Sequence, residues 1–256
     1  MIDFHSHIIP GIDDGADDIK ETFNLIEEAK EAGFTAIIST SHYWEEHYEV
    51  DEKERKTWID AVGMNVKNKM PEMDLYLGSE IFITSDIPEL LQQKKASTIN
   101  NTRYVLFELP FEDKPSNLKD VIFKLLSNKL KPIIAHPERY TYVQKNPNLL
   151  IELIDMGVLF QGNFGSIIGM YGKKVEKTMK VLLQNNLIHF LGSDVHRTKS
   201  IYPQIPEALE QLKHIIPKEE IDELTTVNAK LVLANESIDI RKPIKIKQGL
   251  FNRFLS

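Results

Sequence analysis

His5-Ser6-His7 puts two imidazoles two residues apart at the end of an apolar, extended opening segment. Alternate side chains of a strand share a face, so the pair is spaced to hold one metal ion. The next stretch, Gly11-Ile12-Asp13-Asp14-Gly15, brings neighbouring aspartates into a glycine-flexed loop. One can be a ligand and the other a helix cap, and the spacing does not choose between them. His42 comes directly after an apolar run, in Thr40-Ser41-His42. Glu80 and Glu108 each close such a run, where a carboxylate is costly to bury unless it is paired or bound to a cation. His136-Pro137-Glu138-Arg139 and Gly192-Ser193-Asp194-Val195-His196 repeat the arrangement after Ile133–Ala135 and Ile188–Leu191. Any one of these has an ordinary reading as a loop hydrogen bond or a cap. That reading weakens each time it must be invoked again. The set is too large for one ion and, with carboxylates bridging, suits a cluster of about two or three divalent metals. Imidazole and carboxylate without thiolate fit manganese, iron(II) or zinc.

The elements that must position these groups follow a pattern of short β-branched run, polar junction, helical stretch. Ile2–Phe4, Phe34–Ser39, Leu75–Leu77, Tyr104–Phe107, Pro132–Ala135, Val158–Gln161 and Leu187–Leu191 read as strands. A helix is expected from an N-cap near Asp17 to Ala32, with others over Asp51–Lys69, Asn117–Asn128, Asn148–Asp155, Lys173–Asn185 and Pro206–His214. Alternation of this kind implies a mostly parallel sheet with helices outside, here closed into a single-domain, distorted β/α barrel of about seven strands. Active sites of such barrels lie at the C-terminal ends of the strands, which is where the unusual polar residues fall.

Composition narrows the chemistry. The 256 residues include no cysteine, which excludes disulfides, zinc–thiolate sites and a covalent cysteine intermediate. Lys+Arg number 31 against Asp+Glu 38, a net charge of −7. Residues 241–256 carry five basic and no acidic side chains, so residues 1–240 hold 26 positive against 38 negative charges, a net of −12. So acidic a body is a poor phosphate-backbone binder, and no nucleic-acid partner is expected. The basic tail also holds Ile244, Ile246, Leu250, Phe251, Phe254 and Leu255. It reads as a loosely ordered terminus, or alternatively as a contact for an anionic membrane or a partner. The chain is thus divided into a 1–240 domain and a 241–256 tail. With no long apolar span and no basic signal region, it is expected to be soluble and cytoplasmic.

Taken together, Asp3-x-His5-Ser6-His7, Gly11-x-Asp13-Asp14-Gly15, Thr40-x-His42, His136-Pro137-Glu138-Arg139 and Ser193-Asp194-x-His196 resemble the PHP (polymerase and histidinol phosphatase) superfamily. More narrowly, they resemble its bacterial protein-tyrosine phosphatases of capsule and exopolysaccharide synthesis. The resemblance extends from Met1 to about Asn235 and includes Asn228-Ala229-Lys230-Leu231. It implies a distorted barrel carrying a manganese-type cluster on His5, His7, Asp14, His42, Glu80, Glu108, His136, Asp194 and His196. It also implies that Arg139 binds phosphate. Phosphotyrosine would be hydrolysed by a metal-bound hydroxide, and the partner would be a bacterial tyrosine kinase with a phosphorylated tail. His42 or His196 would be the proton donor to the leaving group only if not fully committed to metal.

The chain departs from the family pattern in three places. Tyr43 stands where a second histidine is common, and Asn163–Ser166 differs from the usual run. Arg197 replaces a small polar residue and offers either a second phosphate contact or a solvated side chain. Competing readings are a PHP phosphatase for a small ester such as histidinol phosphate, and a catalytically idle metal-binding module. Tyr43 and Trp44 are candidate aromatic walls, and His47 belongs to a loop beside the pocket. His189 reads as a core histidine and His214 as a helix end.

Overall fold

Each apolar run is followed by enough chain to return to the start of the sheet through a helix, so neighbouring strands pair in parallel. The computed structural model describes residues 1–247. Its strands are β1 (Ile2–Ser6), β2 (Ala36–Ser39), β3 (His42–Tyr43), β4 (Asp74–Leu77), β5 (Glu80–Phe82), β6 (Tyr104–Glu108), β7 (Lys131–Ala135), β8 (Leu159–Asn163) and β9 (Phe190–Gly192). They pair in the orders β1-β2-β4 and β3-β5-β6-β7-β8-β9, with every pairing parallel. Thr40-Ser41 and Gly78-Ser79 are short jogs, so β2/β3 and β4/β5 are each one interrupted stave. Counting these pairs once leaves seven staves, as the alternation predicted. Segments as short as β3 and β5 carry no periodicity of their own and were not expected from the sequence.

The ring closes between its first and last strands. Ser6 bridges Val195 in parallel, the His7 N–H donates to the Val195 carbonyl at 3.0 Å, and the Asp194 N–H to that of His5 at 2.8 Å. Asp3 fastens this seam from outside, accepting from the Ser193 N–H (2.8 Å), the Ser193 hydroxyl (2.6 Å) and the Tyr202 hydroxyl (2.8 Å). Gly192 is required here, because a Cβ at that position would lie 2.6 Å from the His5 Cβ. At the β4/β5 jog, a Cβ on Gly78 would lie 2.7 Å from Ile99 Cδ1.

The barrel interior is apolar below and polar above. Phe4 and Phe190 stack at 4.1 Å, joined by Ile38, Leu106 and Ile133 over a floor of Ala229 and Val232. Phe4 and His5 both face inward, which consecutive residues of a regular strand cannot do. A register shift between Asp3 and Ser6 allows it, in the way that bulges re-aim side chains beside active sites. A larger apolar layer packs the helices on the outside.

Most expected helices appear within a residue or two, including Ile19–Glu31 and Glu52–Lys69. The cap of the first is Asp18 rather than Asp17, because the Asp18 side chain is the one that accepts from the Glu21 N–H. The helices Ile87–Gln92, Thr141–Lys145, Phe164–Ile167 and Lys218–Asp222 are additional, all too short for a clear periodic signal. Residues 241–247 do not behave as a loose terminus. The Asn148 side chain clasps Ile246 through both its N–H and its carbonyl at 2.9 Å, and the Ile244 N–H donates to Asn185. Leu250, Phe251, Arg253, Phe254 and Leu255 of the expected tail lie outside the described residues. No helix among the described residues is long and apolar enough to cross a membrane.

Candidate metal centre and active site

All the expected ligands converge at the C-terminal mouth of the barrel. Their donor atoms fall into three overlapping groups: His7, Asp14, His42 and His196; His5, His7, Glu80 and Asp194; and His42, Glu80 and Glu108. His136 joins the last two through Glu80, its Nε2 lying 2.9 Å from Glu80 Oε1 and 3.9 Å from Glu108 Oε2. They come from six of the seven staves or the loops after them: His5, His7 and Asp14 share β1 and its loop, and Asp194 and His196 share the segment after β9. His136 (φ 33°) and Asp194 (φ 54°) sit just past β7 and β9 in the left-handed region, a costly backbone state for side chains of this kind.

Neighbouring residues fix which ring nitrogens face inward. The Gln161 amide N–H groups donate to the Gly162 carbonyl and to Asn163 Oδ1, both at 2.8 Å, which turns its Oε1 to His5 Nδ1 at 2.7 Å. The proton of His5 is therefore on Nδ1 and the lone pair on Nε2. Asp13 does the same for His7, with Oδ2 2.8 Å from Nδ1, while also accepting from the His42 and Gly15 N–H groups. The loop's two aspartates are thereby separated, Asp13 orienting His7 and Asp14 facing His42 and His196. His196 Nδ1 donates to the Asp194 carbonyl at 2.9 Å, leaving its Nε2 3.3 Å from Asp14.

This arrangement fits divalent cations. The Nε2 lone pairs of His5 and His7 face each other at 3.1 Å, with Glu80 Oε2 3.0 Å from His5 Nε2. Acceptors packed this closely need a proton or a metal between them. Burial, followed by the Glu80 and Asp194 carboxylates, pushes the Glu108 pKa up to about 9. Burial also opposes ionisation of Glu80, yet the imidazoles of His5, His42 and His136 hold its carboxyl well below the usual range. One carboxyl is thus held ionised and its neighbour protonated within the same buried cup. Oriented imidazole Nε2 atoms, bridging carboxylates and second-sphere partners are the usual makings of a transition-metal site.

Arg139 is the expected phosphate-binding arginine and Arg197 the one left open between a second phosphate contact and a solvated side chain, and the two are placed differently. Arg139 is at the mouth, with Nη1 3.0 Å from Asp194 Oδ2 and its other donors making no hydrogen bond among the described residues. Arg197 is turned away from the cluster. Its guanidinium donates to the Asp14 and Gly15 carbonyls and pairs with Asp17 at 3.0 Å, tying down the loop that carries Asp14. With these donors spent on carbonyls and on Asp17, the geometry argues against the alternative in which Arg197 adds a second phosphate contact. His42 and His196 each lie within a ligand group, so neither is a free proton donor once those groups are filled.

The aromatic wall is also placed differently. Tyr43 is buried beneath the Arg55 guanidinium, and Trp44 stacks between His47 and Phe82. On the His42 side of the cluster the ring is Tyr48, stacked on that imidazole at 5.8 Å. His189 is buried just before β9, its Nδ1 accepting from the Phe160 N–H at 3.0 Å, and His214 caps the C-terminus of Ile205–Lys213. Missed by sequence reasoning were Gln161, Asn163, Phe111 and Tyr171. The first two had a usable signal, since polar residues at i and i+2 end β8, the stave that supplies no ligand. Asn163 Nδ2 holds Asp194 Oδ2 at 2.6 Å.

With this geometry in view, residues 1–234 match the model of the family described as capsular polysaccharide synthesis, CpsB/CapC. The chain belongs to the CpsB/CapC family. It is 31% identical over 251 residues to the tyrosine-protein phosphatase YwqE of Bacillus subtilis, covering 97% of each chain. A crystal structure from work on YwqE and on CpsB of Streptococcus pneumoniae, described as metal-dependent tyrosine phosphatases, matches with a TM-score of 0.89 and 31% identity, over 96% of this chain and 100% of that one. The histidinol phosphate phosphatase of Lactococcus lactis shares the fold, with a TM-score of 0.55 at 17% identity over 84% of this chain and 92% of that one. The CpsB/CapC assignment accords with the resemblance read from the motifs and with the barrel.

Proposed function

We infer that this CpsB/CapC chain is a metal-dependent, non-cysteine protein-tyrosine phosphatase. The observation that carries the reading is the conjunction of the ligand cup with Arg139 at its mouth, in a chain alike over nearly its whole length to tyrosine-protein phosphatases. His5, His7, Asp14, His42, Glu80, Glu108, His136, Asp194 and His196 would hold two or three ions, with manganese favoured by the mixed donor set and iron or zinc as alternatives. Divalent ions held there would lower the pKa of water and offset phosphoryl charge.

The protein's own residues bind and orient. Arg139 offers a planar fork to two phosphoryl oxygens, and its bond to Asp194 sets that fork at the edge of the cup. Gln161 and Asp13 hold the imidazole tautomers, so no proton need move at His5 or His7 when substrate arrives. A tyrosine leaving group, with a pKa near 10, requires less protonation than an alkoxide would. The substrate proposed is a phosphorylated tyrosine kinase tail in capsule synthesis, met in the cytoplasm. Residues 241–256 are proposed as a basic segment capable of peripheral membrane contact.

The test is phosphate release by metal-stripped protein re-supplied with manganese, on a phosphotyrosine peptide and on histidinol phosphate. Metal-dependent release from the peptide in preference to the small ester is expected. The reverse preference would move the protein to small-molecule metabolism, and inactivity on both with metal bound would make it a binding module.

A further inference from the structure

The ligand cup is recessed, with His5, His7 and Glu80 at most 1% exposed, while one side of its rim is apolar and open. Phe111 follows Glu108 by three residues in the loop after β6, and its carbonyl accepts the Thr141 N–H at 2.8 Å, which fixes the loop. Its ring lies over His136, with centroids 5.7 Å apart and planes 23° from parallel. The Arg139 guanidinium carbon sits 4.7 Å from the same ring, and Tyr171 covers it at 4.5 Å. The arginine is thus held between two aromatic rings. Phe111 nevertheless leaves 38% of its surface exposed, and Met170, next to Tyr171, leaves 41%. A ring left partly open beside a guanidinium, and stacked on the imidazole of a candidate metal ligand, offers a surface that an aromatic group of a ligand can cover.

We propose that Phe111, backed by Tyr171, forms a subsite for the aromatic ring of the phosphotyrosine side chain and determines selectivity for aryl over alkyl phosphate esters. The proposal rests on the phosphatase reading above and deepens it. A phosphate drawn to Arg139 and the recessed cluster leaves its ester group pointing out across the rim. A phenyl ring spans that distance and meets the exposed part of Phe111, gaining aromatic contact and apolar burial. A serine phosphate would bring the peptide backbone against the rim before its phosphate reached the cup. On the His42 side, Tyr48, stacked 14° from parallel with that imidazole, supplies a second flat surface.

The experiment compares binding of phenylphosphonate and methylphosphonate to the manganese-loaded protein by calorimetry. It also compares kcat/KM for phenyl phosphate with that for a simple alkyl phosphate, in the unaltered chain and in Phe111→Ala, Phe111→Leu and Tyr171→Phe. Phe111→Ala is expected to reduce the phenyl-to-methyl binding preference about tenfold and to shift the aryl-to-alkyl kcat/KM ratio in parallel, mainly through KM. Phe111→Leu, which keeps apolar bulk in the same place, should lose part of the preference. Tyr171→Phe, which keeps the ring over Arg139, should retain it. An aryl preference that Phe111→Ala and Phe111→Leu both leave within twofold would overturn the subsite while leaving the phosphatase reading intact. A chain that hydrolyses neither ester with metal bound would overturn both.

Discussion

Replacing Asp13 with Asn tests whether metal affinity depends on a residue that need not touch the metal. The Asp13 carboxylate is filled: Oδ2 accepts from His7 Nδ1–H at 2.8 Å and the His42 N–H at 2.9 Å, and Oδ1 from the Gly15 N–H at 3.0 Å. An amide cannot reproduce this set. With its oxygen toward His7 and His42, the new NH2 meets the Gly15 N–H donor to donor. Turned over, it meets the His42 N–H and forces His7 to accept at Nδ1, which moves the imidazole proton to Nε2 and aims it into the cluster. Loss of such an orienting partner typically costs 10–100-fold in metal affinity, or roughly 1.4–2.7 kcal/mol. The assay is competition of stripped protein against a chromophoric chelator for manganese, with folding verified by circular dichroism. The expected result is weakened binding in D13N with turnover largely regained at saturating metal. Affinity within threefold of the unaltered chain would refute the argument that Asp13 sets the His7 tautomer.

Other expectations separate the remaining roles. Arg139→Ala should lower kcat on phosphate esters by about 10²–10³ while metal content stays near its original value, since Asn163 still holds Asp194 at 2.6 Å. Equal loss of metal and turnover would remove the phosphate-binding role. Arg197→Ala should weaken metal binding roughly fivefold by freeing the Asp14 loop, leaving inhibition by inorganic phosphate unchanged at saturating metal; weaker inhibition would restore the phosphate contact that the geometry argues against. His189, neutral in the fold, has its pKa pushed down to about 3 by burial and then by the nearby Lys131 charge. Its unfolded state therefore binds the extra proton, and it favours folding above about pH 6.5 but loses that contribution as pH falls toward 3. Denaturant unfolding of metal-free protein should weaken from pH 6.5 to 5 by up to about 2 kcal/mol more than in His189→Asn, whose amide oxygen can still accept from Phe160. Parallel slopes would show that His189 is not the group responsible.

Much of the barrel was legible because its signals are local. β-branched runs such as Ile133–Ala135, helix starts such as that at Asp51 and the spacing of His5 and His7 act over a few residues, and their chemistry is inherent in their type. The jogs at Thr40-Ser41 and Gly78-Ser79 were not legible, because the strands they join are shorter than any periodic signal. Nor was the attachment of residues 241–247, which depends on a clasp from Asn148, 98 positions before Ile246.

The sequence by itself therefore determined the alternation of strand and helix and the kinds of side chain at the strand ends, since imidazoles and carboxylates closing one apolar run after another form a pattern that isolated caps and loop bonds do not explain. Tertiary structure decided which groups face the cup. Only the closed ring brings Gln161 against His5, 156 positions away, and Asp3 against Ser193, 190 away. Only packing of the loops could assign Asp13 to His7 and Asp14 to the cluster, turn Arg197 onto the Asp14 carbonyl, and seat Arg139 between Phe111 and Tyr171. Identity fixes what a side chain can donate or accept; its partners are fixed by which distant segments the fold brings within hydrogen-bonding distance.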